Sequence, residues 1–190
     1  MKSYLPRFDN IFYDKLAFRK YSFRKIFEFI DQYVNPIIVE TGTVRSLTNF
    51  EGDGCSTLLF DDFIKHSNKG QLVTIDINED NLILAKDACI SHRVSFVLGD
   101  SVKCLRELRS SINVLYLDSY DVNFSKDHDA AFHALKELTS AMPFLRRGSL
   151  VVVDDNNVLG RGKGRYLRSY MNDINAECVF DDYQIGWVLR

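Results

Sequence analysis

The stretch IIVETGT at residues 37–43 runs from a short β-branched segment into a turn at Gly42, and it is the first unit of a repeating pattern. An apolar run without alternation is typical of a parallel strand whose two faces are both covered by helices. Four more runs of this kind follow, namely LVTID (72–76), VSFVL (94–98), INVLYLD (112–118) and SLVVVD (149–154). Because segments with helical spacing separate them, the sequence predicts a doubly wound α/β sheet.

The longest helical segment is predicted at residues 129–146. Its apolar residues are spaced by three or four positions, and it ends in two arginines and a glycine, which suit the negative end of a helix. Beyond the last helical segment, the short runs 178–180 and 184–190 are separated by three residues, which is a hairpin length. We therefore expect a Rossmann-like, mostly parallel sheet of seven strands, with an antiparallel C-terminal hairpin and helices on both faces.

Length and charge restrict the domain count and the partners. The chain has 190 residues, a formal net charge of -2 and 46% hydrophobic residues, which suits one domain with a terminal extension. Residues 1–35 are rich in aromatic and basic side chains and are predicted to form a helical extension or lid, with the sheet domain at 36–190. The near-neutral charge argues against nucleic acid as a partner. The aromatic residues between positions 4 and 33 are candidates for a homodimer contact.

The sequence also carries an expectation about location. The first residues lack the pattern of a signal peptide, no apolar run approaches the ~20 residues of a membrane span, and the cysteines form no C-x-x-C pair. These features predict a cytoplasmic protein that does not bind membranes.

In a doubly wound sheet, ligands bind beyond the carboxyl ends of the strands. After the first strand, Glu40, Gly42 and Thr43 are followed by an eight-residue insertion and then by GDGCST (52–57), which opens a helix. Glycines and free N–H groups at a helix start favour a carboxylate or a phosphate. The spacing matches neither G-x-G-x-x-G nor the P-loop, which disfavours a dinucleotide or a nucleoside triphosphate. A simple helix cap is the alternative interpretation of this turn.

Acidic residues follow the next two strands. Asp76 ends the second strand, where a carboxylate can accept hydrogen bonds from both hydroxyls of a ribose, or can cap the following helix. Asp100 and Ser101 follow the third strand, where Asp100 could face an adenine amino group and Ser101 could cap a helix. The sequence therefore predicts a nucleoside-binding site at this edge of the sheet.

A denser group of oxygen ligands follows strands four and five. It contains carboxylates and amides in the segments LDSYD (117–121) and DDNN (154–157). Mg²⁺ and Ca²⁺ prefer such ligands. Because like charges at one edge are costly without a cation, the pattern favours a metal site over solvated turns.

Taken in order, the segments ETGT (40–43), GDGCST (52–57), Asp76, GDS (99–101), LDS (117–119) and VVDDN (152–156) resemble those of class I S-adenosylmethionine-dependent methyltransferases, over residues 36–190. Within that class the chain is most similar to small metal-dependent O-methyltransferases of the catechol O-methyltransferase-like and cephalosporin-hydroxylase-like groups. The resemblance implies that the methionine part of the cofactor is held by Glu40, Gly42, Thr43, Gly54 and Ser56. It implies a ribose contact at Asp76 and adenine contacts at Asp100 and Ser101. It also implies Mg²⁺ or another divalent cation on Asp118, Asp155 and Asn156, with Asp118 beside the cofactor as well.

The resemblance is incomplete at the catalytic base. In the catechol enzymes a lysine follows three residues after the strand-four aspartate, and Asp121 stands at that position in this sequence. Candidates for the base are Asp121, His128 and Lys163, and histidine titrates near neutral pH. Lys163 lies in GRGKGR (160–165), whose cations could close over an anionic acceptor or could simply precede the last helix.

We therefore expect S-adenosylmethionine-dependent methyl transfer to an oxygen of a small polar acceptor, assisted by a divalent cation. An anionic small molecule is one option for the acceptor. One alternative is a non-catalytic S-adenosylmethionine-binding or scaffold protein of the same fold. A nucleotide-dependent dehydrogenase is a weaker alternative, because G-x-G-x-x-G is absent from the glycine loop.

Overall fold

Seven strands and seven α-helices are present in the parts of the chain that the computed structural model describes, which are residues 3–52, 55–123, 127–158 and 162–190. The strands are β1 (Ile37–Thr41), β2 (Gln71–Asp76), β3 (Val94–Leu98), β4 (Ile112–Leu117), β5 (Leu145–Val153), β6 (Glu177–Asp181) and β7 (Ile185–Val188). The helices are α1 (Leu5–Ile11), α2 (Lys20–Asp31), α3 (Ser56–Ser67), α4 (Glu79–Ala88), α5 (Ser101–Arg106), α6 (Asp127–Ala141) and α7 (Arg165–Asp173). Short 3-10 helices lie at Tyr13–Lys15, Ala17–Arg19 and Met142–Phe144. None of the helices in these ranges has the length and apolar character needed to cross a membrane.

The strands form one sheet in the order β3-β2-β1-β4-β5-β7-β6. Strands β1 to β5 pair in parallel, and β7 lies antiparallel between β5 and β6. This arrangement confirms the predicted Rossmann-like sheet and its antiparallel C-terminal hairpin. The strand order reverses between β1 and β4, so the carboxyl ends of these strands mark the edge where a ligand is expected.

Both faces of the central strands are buried, as the apolar runs predict. On one face, Tyr116 and Val152 pack with aromatic residues of the N-terminal helices and α3. On the other face, Leu115 and Val153 pack with residues of α6 and α7, including Leu138. Each strand therefore holds two helical layers in place while its carboxyl end stays available for a site.

The N-terminal segment is part of the first of these cores. Tyr4, Phe8 and Phe27 are completely buried, and the ring centroids of Tyr4 and Phe63 lie 5.2 Å apart in an edge-to-face arrangement. Aromatic pairs of this kind stabilise a core beyond their buried area. Half of the ten aromatic residues between positions 4 and 33 are buried in this core, whereas Phe18 and Tyr21 are exposed, and the homodimer contact stays a prediction.

The predicted helix at residues 129–146 is wrong at its C-terminal end. Helix α6 ends at Ala141, and β5 already begins at Leu145, opposite Ile112 of β4. Pro143 explains the difference, because proline lacks a backbone N–H and disfavours the helical conformation of the residue before it. The charged residues at the predicted helix end therefore lie in a strand.

Candidate active site

A cleft opens at the carboxyl ends of β1 to β4. Its lining consists of Gly42, Ile75, Asp76, Ile77, Gly99, Asp100, Ser101, Ser119, Tyr120 and His133. The enclosed volume is about 190 Å³, whereas complete small-molecule sites occupy about 300–1,000 Å³. The enclosed part therefore suits one portion of a ligand, such as a nucleoside, and the remainder would extend along the open side.

Gly42 forms the floor of this cleft. Its φ angle is +78°, and a Cβ at this position would lie 2.5 Å from the backbone oxygen of Asp118. The Gly42 N–H donates to the carbonyl of Ile75 at 2.8 Å, and the Asp118 N–H donates to the carbonyl of Thr41 at 2.9 Å. Only glycine combines this backbone conformation with so close an approach of the ends of β1 and β4.

Asp76 presents a carboxylate at the end of β2. Its oxygens accept hydrogen bonds from the backbone N–H groups of Thr43 (3.0 Å) and Asn78 (2.8 Å) and from the side chain of Asn81 (3.3 Å). A carboxylate has about four acceptor positions, and these contacts take three of them, so about one remains for a ribose hydroxyl. The helix-cap alternative does not hold for Asp76, because the side chain of Asn78 caps α4 by accepting from the Asp80 N–H.

Asp100 and Ser101 lie on the neighbouring wall. The Asp100 carboxylate caps α5 by accepting from the Lys103 N–H at 3.2 Å, so this residue and not Ser101 is the helix cap. The Ser101 hydroxyl lies 3.1 Å from Nε2 of His133. Both residues line the cleft, as the sequence predicts.

The cleft lining also includes His133, which no motif indicated. Nε2 of His133 lies 3.4 Å from Oε1 of buried Glu137, and the same oxygen accepts a hydrogen bond from the Ser119 hydroxyl at 2.6 Å. The ring of Tyr120 lies 5.3 Å from that of His133. The signal was present in the sequence, because His133 and Glu137 are four residues apart and therefore share one helix face.

Glu40 lies behind the cleft and is completely buried. Its Oε2 accepts hydrogen bonds from the hydroxyls of Thr57 and Thr74, each at 2.7 Å, while Oε1 has no partner among the described residues. Burial raises the pKa of Glu40 to about 7 despite these hydrogen bonds. Glu40 therefore lies buried among the threonine hydroxyls behind the cleft, and the direct cofactor contact that the resemblance implies stays a prediction.

Three further residues of the glycine loop are predicted to contact the cofactor, namely Thr43, Gly54 and Ser56. Thr43 and Ser56 are buried, and the Thr43 hydroxyl lies 3.1 Å from that of Thr57 at the start of α3. Gly54 lies outside the described residues. Of the predicted residues, Gly42 lines the cleft with Asp76 at the end of β2 and Asp100 after β3, whereas Thr43 and Ser56 are not part of its lining.

At the ends of β4 and β5, a buried lysine bridges two carboxylates. Nζ of Lys163 lies 2.6 Å from Oδ1 of Asp118 and 3.0 Å from Oδ2 of Asp155, and its side chain is 3% exposed. The Tyr183 hydroxyl donates to the other oxygen of Asp155 at 2.8 Å. Lys163 therefore forms an inward ion pair, while Gly160 and Arg161 lie outside the described residues, and closure of this loop over an acceptor stays a prediction.

The pKa directions in this group follow from burial and from the Lys163 charge. Burial raises the pKa of Asp118 well above its ordinary value, although Lys163 opposes the rise. Burial would also raise the pKa of Asp155, but Lys163 and the Tyr183 hydrogen bond hold that pKa below its ordinary value. Burial alone would lower the pKa of Lys163, yet the two carboxylates raise it. Both carboxylates thus favour the ammonium form of Lys163, and a role of this residue as the base stays a prediction.

A second cation reaches the same edge from the N-terminal segment. Nε of buried Arg19 lies 3.2 Å from Oδ2 of Asp154, which also accepts from the Tyr116 hydroxyl at 2.8 Å. Nη2 of Arg19 lies 3.9 Å from Asp155 and donates to the Gly52 carbonyl at 3.2 Å. No sequence motif indicated Arg19. We call Arg19, Asp118, Asp154, Asp155 and Lys163 the charge cluster.

The residues present do not fit the divalent cation that the resemblance implies. Magnesium and calcium require several oxygens at about 2.0–2.6 Å, but the gap between Asp118 and Asp155 holds the Lys163 ammonium. The third predicted ligand, Asn156, faces Asp182 and Arg168, with its amide donating to the Asp182 carbonyl at 2.8 Å. Within the described residues, no group of three or more His, Cys, Asp or Glu could hold a metal. The predicted metal set is corrected accordingly, because Lys163 and Arg19 supply the positive charge.

The other two candidate bases lie in separate settings. Asp121 has a 77% exposed side chain and forms an ion pair with Nη1 of Arg45 at 3.0 Å. His128 is exposed at the start of α6, where it contacts the Tyr166 hydroxyl and lies 3.4 Å from Arg165. Neither residue belongs to the lining of the cleft.

These features define an α/β domain with a cleft at the carboxyl ends of its parallel strands and a second polar centre beside it, and comparison with known proteins identifies its family. The chain belongs to the methyltransferase domain family, whose model matches residues 51–156. The resemblance to class I S-adenosylmethionine-dependent methyltransferases is confirmed, whereas the metal-dependent subtype is not. No curated protein matches the sequence.

Solved structures share the fold at low sequence identity. The SAH-bound methyltransferase PaMTH1 of Podospora anserina has a TM-score of 0.64 and 14% identity, over 98% of this chain and 86% of that chain. The O-methyltransferase NovP has a TM-score of 0.58 and 18% identity, over 96% of this chain and 79% of that chain. NSun6 from Pyrococcus horikoshii with SFG has a TM-score of 0.60 and 14% identity, and its match covers 80% of this chain but only 40% of NSun6.

Proposed function

We propose that this protein transfers the methyl group of S-adenosylmethionine to an oxygen of a small polar acceptor. The observation that carries the proposal is the cleft at the reversal of strand order, where Asp76 retains an acceptor position and Gly42 leaves the floor open. Membership of the methyltransferase domain family and the fold shared with the O-methyltransferase NovP support it. When bound, S-adenosylmethionine supplies a methyl group on a sulfonium leaving group.

The proposed cofactor contacts follow the cleft from one end to the other. Asp76 accepts a hydrogen bond from a ribose hydroxyl, and Asp100 and Ser101 lie beside the adenine. Ile77, which is 77% exposed, offers an apolar surface to the base. The methionine end extends over Gly42 toward the start of α3, because the N-terminal end of a helix favours a carboxylate.

The acceptor is proposed to bind beside the end of β4. Transfer to an oxygen requires that the acceptor be positioned and that its proton be removed. Asp118 is the proposed base, because its backbone borders the cleft floor at Gly42 and it is the residue next to Ser119 in the lining. Lys163 engages one oxygen of Asp118 and fixes the orientation of its carboxylate. A divalent cation is not part of this proposal, because the ammonium lies where it would bind.

Isothermal titration with S-adenosylhomocysteine, S-adenosylmethionine and NAD⁺ tests the cofactor. We expect micromolar binding of the first two ligands and none of NAD⁺. In Asp76→Ala, loss of a hydrogen bond to a charged group, which contributes about 1.5–3 kcal/mol, weakens the affinity by about tenfold to 100-fold. Asp87→Ala, which removes an exposed carboxylate of α4, is the matched control and leaves the affinity unchanged.

Turnover separates an enzyme from a binding protein. We expect release of S-adenosylhomocysteine and a methylated product with at least one member of a panel of hydroxylated acceptors. Tight cofactor binding without turnover on any acceptor would favour the scaffold alternative. Binding of NAD⁺ without S-adenosylmethionine would overturn the proposal in favour of a dehydrogenase.

A further inference from the structure

We infer that Lys163 is the resident cation of the acceptor site, and that the site operates without a divalent metal. The inference rests on the proposed function for its catalytic meaning, but its structural basis is independent of the acceptor. It assigns Lys163 a positioning role: the ammonium acts through Asp118 and Asp155 and is not a catalytic group itself.

The geometry of Lys163 is that of a bridging cation. Its ammonium lies 2.6 Å from Asp118 and 3.0 Å from Asp155, so it joins the ends of β4 and β5 across the sheet edge. Both distances are those of strong charge-assisted hydrogen bonds. A divalent cation that bridged the same oxygens would have to displace the ammonium or lie against it, and charge repulsion opposes the second arrangement.

The backbone at Gly162 and Lys163 packs closely against Asp155, which follows β5. Gly162 has a φ angle of +51°, and a Cβ at this position would collide with the carbonyl oxygen of Asp155. The Lys163 N–H donates to the same carbonyl at 3.2 Å. The glycine therefore permits a close approach that directs the lysine inward, which distinguishes this arrangement from a surface ion pair.

The charges of the charge cluster also favour Lys163 as the resident cation. The charge cluster contains three carboxylates, at Asp118, Asp154 and Asp155, and two cations that contact them, Lys163 and Arg19. Both cations have side chains no more than 4% exposed, so water screens these pairs weakly. Replacement of Lys163 by a neutral side chain would leave two adjacent carboxylates without their shared cation, which is the condition that favours capture of a metal ion.

The test is a Mn²⁺ titration followed by electron paramagnetic resonance, with S-adenosylhomocysteine affinity measured on the same samples. We expect no Mn²⁺ binding to the wild-type protein below the millimolar range. Lys163→Met removes the charge and retains the chain length, so we expect Mn²⁺ affinity to rise by at least about tenfold. The double variant Lys163→Met with Asp155→Asn loses that gain. Lys86→Met, which removes an exposed lysine of α4, is the control and gains nothing.

The outcomes separate this inference from the proposed function. Micromolar Mn²⁺ binding to the wild-type protein that disappears in Asp155→Asn would overturn the inference, as would a folded Lys163→Met that gains no Mn²⁺ affinity. If Lys163→Met does not fold, the wild-type titration decides alone. Failure of S-adenosylhomocysteine to bind would contradict the proposed function and leave the Mn²⁺ result standing.

Discussion

The site has two halves, the cleft in which the cofactor is proposed to bind and the charge cluster beside it. Their carboxylates have different kinds of partner. Asp76, in the cofactor half, accepts hydrogen bonds from neutral amide groups and stays half-buried at the cleft. Asp118 and Asp155, in the charge cluster, are bridged by the ammonium of Lys163. Neutral donors orient a carboxylate and leave its negative charge available to a ligand, whereas a buried cation neutralises that charge. The first half is therefore suited to binding and the second to a fixed local electrostatic environment.

The largest expected effect comes from removing Arg19, the cation that the N-terminal segment contributes to the charge cluster. Arg19→Met leaves the fully buried Asp154 without its cation, and loss of one partner of a buried ion pair costs about 3–5 kcal/mol. Urea denaturation of the variant should show this loss in the free energy of unfolding. Arg24→Met is the matched control, because its ion pairs with Asp9 of α1 and Glu28 of α2 are partly exposed and contribute no more than about 1 kcal/mol. Equal losses in the two variants would contradict the buried pairing of Arg19.

The next prediction compares a buried carboxyl group that has neutral hydrogen-bond partners with one that is paired to a cation. Glu40 has hydroxyl partners and a pKa of about 7, raised by burial from 4.5, while Lys163 lowers the pKa of Asp155. Because the folded-state pKa of Glu40 is the higher one, its stabilising contribution is fully present below pH 4.5 and is lost as the pH rises through about 7. Relative to Glu40→Gln, the wild-type protein should lose at most about 3 kcal/mol between these limits.

The measurement for Glu40 is urea denaturation of both proteins at either end of that pH range. The comparison across pH cancels any constant cost of burying the glutamine amide of the variant in place of the carboxyl group. Parallel pH profiles of the wild-type protein and Glu40→Gln would show that Glu40 does not titrate in this range, and the contrast with Asp155 would fail.

The smallest effect lies outside both halves. Asp121→Ala removes an exposed ion pair with Arg45, which contributes about 0–1 kcal/mol. We expect methyl transfer and the free energy of unfolding to change little, and steady-state kinetics together with thermal unfolding check this. A large loss of turnover with an unchanged affinity for S-adenosylmethionine would make Asp121 the base and contradict the role proposed for Asp118.

Much of the fold could be predicted because its signals are local. Strands such as Ile112–Leu117 are apolar on both faces, which only a covered parallel strand requires. The end of α6 was missed because the apolar spacing continues past Pro143, although proline stops the helix. The docking of the N-terminal aromatics on α3 was not predictable, since helical spacing shows which residues share a face but not which surface that face covers.

The site likewise has a part that could be predicted from the sequence and a part that could not. Asp76 and Asp100 directly follow strands, so their place at the sheet edge is a consequence of topology. The clustering of Asp118 and Asp155 was predictable on the same ground, but the source of the compensating charge was not. Arg19 and Lys163 reach the charge cluster through tertiary packing and a glycine-dependent turn, and no sequence spacing reports that.

The most direct test is a crystal structure with S-adenosylhomocysteine and Mn²⁺, with diffraction data collected at the manganese absorption edge. We predict that a ribose hydroxyl binds Asp76, and that Lys163 remains between Asp118 and Asp155 with no anomalous peak there. An anomalous peak that bridges these two carboxylates, or a ligand bound away from Asp76, would contradict the account.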